Sequence, residues 1–139
     1  MYPVHLCYLI KIGSIKSDVW CRKMRFILAD DNAQVCSALK LLLQTRTKNS
    51  EIIEVDNTGD LIAKVRLTHP DLVFLDWELP DLESESTAQT LRSLDPNLII
   101  IALSGQPEAQ IVALNAGVDG FINKGYPPEQ ILRTLQISR

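Results

Sequence analysis

Short apolar runs alternate with segments of helical periodicity along most of this chain, and most of the runs end at a polar or charged side chain. The runs predicted to form strands are Phe26–Ala29, Glu51–Val55, Asp71–Leu75, Leu98–Leu103 and Gly120–Asn123. Leu98–Leu103 is uniformly apolar, which is typical of a strand covered on both faces. Five strands that alternate with helices predict an α/β fold, in which a parallel sheet carries helices on both faces and right-handed crossovers join the strands.

The helices are predicted from the spacing of apolar side chains between these runs. They are expected over Asn32–Thr47, Asp60–Thr68, Pro107–Ala116 and Pro127–Ile137. Pro107 suits a first helical turn, and Gly117 suits a C-cap. The stretch from Pro80 to Leu94 is the weakest element because Glu, Ser and Thr dominate its first half, so a helix there is expected to start late.

Composition excludes several classes of protein. A chain of 139 residues suits one domain, and 46% hydrophobic residues are enough to offset chain entropy, which excludes disorder as the main state. The apolar runs are far shorter than the roughly 20 residues of a membrane span. A net charge of −3 argues against direct nucleic-acid binding. Three cysteines without a C-x-x-C pair indicate a reducing, cytoplasmic location and argue against structural zinc.

Residues 1–23 differ from the rest in charge, with four cationic side chains against one acidic one. We interpret them as an N-terminal extension without its own fold, either an appendage or the result of a start assigned upstream of the real one. A short anchor or partner-binding strand is the alternative. Residues 24–139 would form the complete domain.

The candidate site comprises the polar residues at the ends of the predicted strands: Asp30, Asp31, Asp76, Ser104 and Lys124. Each has an ordinary structural explanation as a helix cap, a turn residue or a surface lysine. In open parallel sheets, however, sites lie beyond the carboxyl ends of the strands. Three carboxylates there would repel one another without a cation, and hard oxygen ligands without His or Cys suit Mg²⁺.

This arrangement could accept a phosphoryl group. Three carboxylates carry a charge of −3, which Mg²⁺ and Lys124 would balance. Asp76 would be the nucleophile and would form an acyl phosphate. Lys124 would neutralise the phosphoryl oxygens during transfer, and the Ser104 hydroxyl would donate a hydrogen bond to one of them.

The sequence resembles the receiver domain of two-component response regulators over about residues 24–139, and is similar in plan to the chemotaxis response regulator. Four segments in order carry the resemblance: Phe-Ile-Leu-Ala-Asp30-Asp31-Asn, Leu-Val-Phe-Leu-Asp76-Trp-Glu-Leu-Pro80, Ile-Ile-Ala-Leu-Ser104-Gly and Ala-Gly-Val-Asp-Gly-Phe121-Ile-Asn-Lys124. It implies a flavodoxin-like doubly wound sheet of five parallel strands in the order 2-1-3-4-5, with helices on both faces.

The resemblance also implies a role for each matching residue. Asp76 would be the phosphoacceptor. Asp31 and Asp76 would bind Mg²⁺ directly, together with the backbone carbonyl of Glu78, whereas Asp30 would act mainly through water. Ser104 and Lys124 would assist the phosphotransfer.

Phe121 would be the aromatic switch residue that moves inward when Ser104 turns toward the phosphoryl group. Its position in a strand, taken alone, favours a plain core aromatic.

Four positions depart from the family pattern or vary within it. Gly125 stands where the family usually has proline after the lysine, so we expect a trans bond and use of glycine's wider backbone range. Ser84 stands where glycine is common. Glu78 and Gln106 occupy positions that tune phosphoryl lifetime, and the sign of the effect of Glu78 is open.

The resemblance implies a phosphoacceptor signalling protein rather than an enzyme, although it would assist its own phosphotransfer and dephosphorylation. Its partners would be a histidine kinase or phosphotransfer protein and a downstream protein, with homodimerisation on phosphorylation a further expectation. Only 15 residues follow Lys124, so signalling is expected through protein–protein contact. A receiver-like module that works without phosphorylation is the alternative. A flavodoxin-like cofactor binder is disfavoured, because two carboxylates follow the first strand instead of a phosphate loop.

Overall fold

The computed structural model describes residues 24–46, 50–81 and 83–127. Within them the chain alternates strictly between strands and helices. The elements are β1 (Arg25–Ala29), α1 (Ala33–Arg46), β2 (Glu51–Val55), α2 (Thr58–Thr68), β3 (Leu72–Asp76), α3 (Ser84–Leu94), β4 (Ile99–Ser104), α4 (Ala109–Asn115) and β5 (Gly120–Asn123). The predicted extension over residues 1–23 lies outside the described residues, as does the helix predicted over Pro127–Ile137 beyond its first residue.

All five strands are parallel and lie in one sheet in the order β2-β1-β3-β4-β5. The predicted fold class is therefore confirmed. The strand order reverses at β1, where β2 and β3 flank it, so the ends of β1 and β3 meet at the topological switch point.

The core consists of two apolar layers, one on each face of the sheet. Phe26 and Leu28 point to the face covered by α1, where Cys36 and Leu39 pack against them. The alternate residues of β1 point to the opposite face, which α2, α3 and α4 cover. Every residue of β3 and β4 is buried, as expected for central strands with helices on both sides.

The structure shifts several predicted boundaries. Helix α1 begins one residue later than predicted, and β3 and β4 each lie one residue later. Helix α2 begins at Thr58 rather than Asp60, because the side chain of Asn57 caps it by accepting a hydrogen bond from the Asp60 N–H at 2.8 Å. Helix α3 starts late, at Ser84, as expected.

Helix α4 is shorter than the predicted range Pro107–Ala116. Its entry is a tight turn in which the Ala109 N–H bonds the Gln106 carbonyl, so Pro107 precedes the helix and is not part of its first turn. The predicted glycine cap is present: Gly117 has φ +100°, and the Val118 N–H bonds the Ala113 carbonyl at 3.3 Å. This is the Schellman pattern that ends a helix.

Among the helices that the structure describes, none has both the length and the apolar character needed to cross a bilayer.

Candidate functional site

The predicted site residues converge at the carboxyl edge of the sheet. Asp30 follows β1, Asp76 and Ser104 are the last residues of β3 and β4, and Lys124 follows β5. The register aligns Asp76 with Leu103, one residue before Ser104. Because parallel strands end at the same edge, residues that are far apart in sequence become neighbours there.

Three carboxylates form a cluster at this edge. Each of Asp30, Asp31 and Asp76 offers an oxygen within 4.8 Å of the others. Asp30 and Asp76 are buried, whereas Asp31 is exposed. Two of the carboxylates are oriented by backbone amides, because the N–H groups of Asn32 and Glu78 donate to Asp30 Oδ1 at 2.8 Å and to Asp76 Oδ1 at 2.9 Å.

The ammonium group of Lys124 joins the two buried carboxylates. Its Nζ lies 2.8 Å from Asp30 Oδ2 and 3.0 Å from Asp76 Oδ1. The backbone N–H of Lys124 donates to the Ser104 carbonyl at 2.8 Å, which fixes the start of this side chain against β4. One cation therefore faces three acids, and the cluster keeps an excess of negative charge.

Burial and ion pairing shift the pKa values of Asp30 and Lys124 in opposite directions. Burial raises the pKa of Asp30 above its ordinary value, although the hydrogen bonds from Lys124 and Asn32 oppose this rise. Burial lowers the pKa of Lys124, but its contacts with Asp30 and Asp76 outweigh that effect and leave the pKa above the ordinary value. Lys124 therefore stays charged, and an additional cation beside Asp30 would favour the ionised form of this buried acid.

The donor set fits a hard divalent cation. The cluster offers only carboxylate oxygens, and it combines buried acids with the exposed Asp31. Mg²⁺ favours one or two carboxylates and keeps several waters, which an arrangement open to solvent on one side allows.

Ser104 is fully buried, and its hydroxyl bonds a neighbour that the sequence did not indicate. Ser104 Oγ donates a hydrogen bond to Glu78 Oε2, and the Gly105 N–H donates to Glu78 Oε1 at 3.2 Å. The sequence singled out Glu78 for its backbone carbonyl and its position. No spacing rule could have found the side-chain contact, because it joins residues 26 apart through rotamers that tertiary structure sets.

Phe121 lies half-buried in β5, beside Ala102 in the register, and packs against the apolar layer under α2, α3 and α4. In this conformation Phe121 is a core aromatic residue that stays partly exposed.

The structure also corrects one prediction about Gly125. No cis peptide bond occurs among the described residues, so the Lys124–Gly125 bond is trans as predicted. The prediction that Gly125 exploits glycine's wider backbone range is wrong, because its φ lies outside the left-handed region. Its N–H bonds Asn123 Oδ1 at 2.8 Å, which holds an ordinary turn.

Two contacts that sequence reasoning missed hold the segment between β3 and α3. Asp81 accepts hydrogen bonds from the Thr58 N–H at 3.0 Å and from its hydroxyl at 3.0 Å, which ties this segment to the start of α2. Ser84 donates to the Trp77 carbonyl at 3.0 Å, which anchors α3 to the residue after Asp76. A polar stretch alone carries no signal for either contact.

The sequence matches the response regulator receiver domain family over residues 26–136. It is 28% identical over 111 residues to the nitrate/nitrite response regulator protein NarL of Escherichia coli, an alignment that covers 78% of this chain and 51% of NarL. It is also 28% identical over 113 residues to the chemotaxis protein CheY of Thermotoga maritima, which covers 80% of this chain and 93% of CheY. The chain thus spans about half the length of NarL.

A solved structure has the same fold. The receiver domain of sensor histidine kinase PA1611 from Pseudomonas aeruginosa, which was crystallised with a magnesium ion coordinated in its active-site cleft, superposes with a TM-score of 0.67. The superposition covers 83% of this chain and 96% of that domain, at 19% identity.

Proposed function

Because this chain belongs to the family of response regulator receiver domains, we propose that it accepts a phosphoryl group on Asp76 from a histidine kinase or phosphotransfer protein in the cytoplasm. The single observation that carries this proposal is the Lys124 ammonium, which lies within 3.0 Å of both Asp30 and Asp76 beside the exposed Asp31. Receiver domains are signalling modules rather than conventional enzymes, and the chemistry proposed here is a transfer to the protein itself.

In the transfer, a carboxylate oxygen of Asp76 attacks the phosphorus of the donor. The new O–P bond forms as the bond from phosphorus to the donor nitrogen breaks, and the electron pair stays on that nitrogen. The positive charge of Lys124 is already close to Asp76 and would stabilise the negative charge on the phosphoryl oxygens. The Ser104 hydroxyl, at the end of the neighbouring strand, is the proposed donor to one of those oxygens.

The acidic cluster is the proposed Mg²⁺ site, with Asp31, Asp76 and the backbone carbonyl of Glu78 as ligands and Asp30 acting through water. When bound, Mg²⁺ supplies positive charge that offsets the repulsion between the carboxylates and the incoming phosphoryl group. Two observations support this assignment: the excess of carboxylates over the single lysine, and the magnesium ion in the structurally similar PA1611 domain.

Output is proposed to occur through protein–protein contact at the face that carries Phe121 and α4. Three apolar side chains of this helix support the assignment: Ile111 is 70% exposed, Leu114 44% and Val112 42%. Phe121 is proposed to move inward when Ser104 engages the phosphoryl group, which would change this face. Homodimerisation of the phosphorylated form is part of the proposal.

Reaction with a small acyl phosphate tests the proposal directly. Wild type, Asp76→Asn and the control Asp56→Asn are incubated with acetyl phosphate, with and without Mg²⁺, and followed by intact-mass spectrometry. Asp56 is a suitable control because it lines the same acidic cavity as Asp30 and Asp31 but lies outside the cluster.

We expect one Mg²⁺-dependent phosphoryl adduct on wild type and Asp56→Asn and none on Asp76→Asn, with light scattering reporting any dimer. An inert wild type would favour the alternative, a receiver-like module that acts without phosphorylation. An adduct on Asp76→Asn equal to that on wild type would refute Asp76 as the acceptor.

A further inference from the structure

The carboxylate of Glu78 bridges from the segment after β3 to the end of β4. It accepts a hydrogen bond from the Ser104 hydroxyl through Oε2 and one from the Gly105 N–H through Oε1 at 3.2 Å. The Gln106 N–H donates to Ser104 Oγ at 2.9 Å. Both oxygens of the carboxylate are therefore engaged at the end of β4, and the serine hydroxyl is held from two sides.

These contacts determine which group accepts the single hydrogen bond that the Ser104 hydroxyl can donate. A serine hydroxyl has one O–H donor, and the charged carboxylate of Glu78 lies within hydrogen-bond reach of it. The Gln106 carbonyl, 3.3 Å from the same oxygen, is a neutral and therefore weaker acceptor. While the Ser104 hydroxyl donates its hydrogen bond to Glu78, it cannot donate one to a phosphoryl group on Asp76.

We propose that Glu78 is a positioning residue that withholds the Ser104 hydroxyl from the site until a phosphoryl group on Asp76 displaces it. This inference rests on the proposed function of Asp76. The Glu78 carboxylate and the phosphoryl group are both anionic, and they compete for the hydrogen bond that the Ser104 hydroxyl donates. When the phosphoryl group wins, one hydrogen bond replaces another and no covalent bond changes. Glu78 therefore opposes the switched conformation, which gives its effect a definite sign: the carboxylate lowers the affinity of the site for a phosphoryl group.

The test uses beryllofluoride with Mg²⁺ as the phosphoryl mimic and compares its dissociation constant for wild type, Glu78→Gln and Glu108→Gln. Glu78 is exposed, so we expect its replacement to leave the fold intact. Glutamine keeps the shape but turns a charged acceptor into a neutral one, so we expect about fivefold to tenfold tighter binding. Glu108→Gln removes the same charge from the segment that follows β4, at a residue whose side chain makes no cap hydrogen bond, and should change binding less than about twofold.

The Ser104→Ala background separates the proposed role from simple charge repulsion. Without the hydroxyl there is no proton to compete for, so the gain from Glu78→Gln should fall to that of Glu108→Gln. A gain that persists in Ser104→Ala would overturn the proposal, because it would reflect repulsion through space.

The remaining outcomes also decide between the two claims. Equal binding by wild type and Glu78→Gln would overturn the role of Glu78 and leave the proposed function standing. Failure of both proteins to bind beryllofluoride would overturn the proposed function and the role of Glu78 together. Binding by Glu78→Gln alone would support both.

Discussion

Replacing Lys124 with methionine removes an ammonium group that lies between two buried carboxylates. Its Nζ lies 2.8 Å from an oxygen of Asp30 and 3.0 Å from one of Asp76, and those carboxylate side chains are only 1% and 2% exposed. Removing one partner of a buried ion pair costs about 3–5 kcal/mol. Because the lysine side chain is itself 19% exposed, water replaces part of the lost contact. We therefore expect Lys124→Met to lower the free energy of unfolding by about 3 kcal/mol, the lower end of this range, in Mg²⁺-free buffer at neutral pH.

The loss should depend on pH in a direction that Asp30 determines. Burial raises the pKa of Asp30 in the folded protein, and the hydrogen bond from Lys124 opposes that rise. Without the lysine the folded-state pKa rises further, while the unfolded-state pKa is unchanged. A carboxyl group whose pKa is raised on folding destabilises the fold above that pKa, and the penalty disappears as pH falls through it. The deficit of Lys124→Met should therefore be largest at neutral pH and shrink in acid.

Urea unfolding in the presence of EDTA measures this free energy, and the chain offers a matched control. Lys40 Nζ also lies 2.8 Å from a carboxylate, Glu54 Oε2, but these side chains are 40% and 44% exposed. Lys40→Met also removes a positive charge from an ion pair of the same length, but this pair is exposed. We therefore expect no measurable loss in the free energy of unfolding. Equal losses for the two variants, or a deficit for Lys124→Met that grows in acid, would refute the reasoning.

Three further predictions concern the buried side chains of Cys36 and Phe74 and the ion pair of Arg92. Burial raises the pKa of the Cys36 thiol to about 11. With the other two cysteines replaced by serine, a thiol reagent at neutral pH should label native protein at least about tenfold more slowly than urea-unfolded protein, and equal rates would contradict this. Phe74→Ala should cost about 3–5 kcal/mol in urea unfolding, whereas Leu67→Ala, at a side chain 73% exposed, should cost less than about 0.5 kcal/mol. Arg92→Ala should cost about 1–3 kcal/mol, because Arg92 pairs with Asp119 at 2.8 Å and also donates to backbone carbonyls; an unchanged unfolding midpoint would contradict it.

The fold could be predicted because each element carries its own local signal. The bounds of β2 and β5 match the prediction residue for residue, and every described helix was predicted in nearly the right place. The errors lie at element ends. Asn57 caps α2 earlier than the apolar spacing suggests, and Pro107 precedes α4, since hydrogen bonds at the first turn set these limits rather than apolar periodicity.

The position of the site was predictable for a topological reason, whereas its side-chain contacts were not. Residues that follow the strands of a parallel sheet must meet at one edge, so Asp30, Asp76 and Lys124 could be grouped from the sequence. The hydrogen bond between Glu78 and Ser104 depends instead on two side-chain torsions and on the close approach of two loops. Sequence spacing carries no information about either, so the sequence alone leaves the sign of the effect of Glu78 open.

Magnesium binding measured by titration calorimetry tests the central claim most directly, because it asks whether the acids at the ends of different strands hold one shared cation. We expect wild type and the control Asp56→Asn to bind a single Mg²⁺ with equal affinity. Asp31→Asn and Asp76→Asn should each weaken binding at least about tenfold, and Asp30→Asn should weaken it by about 10–100-fold through the lost water-mediated contact. Unchanged affinity in the Asp31 and Asp76 variants would contradict the account.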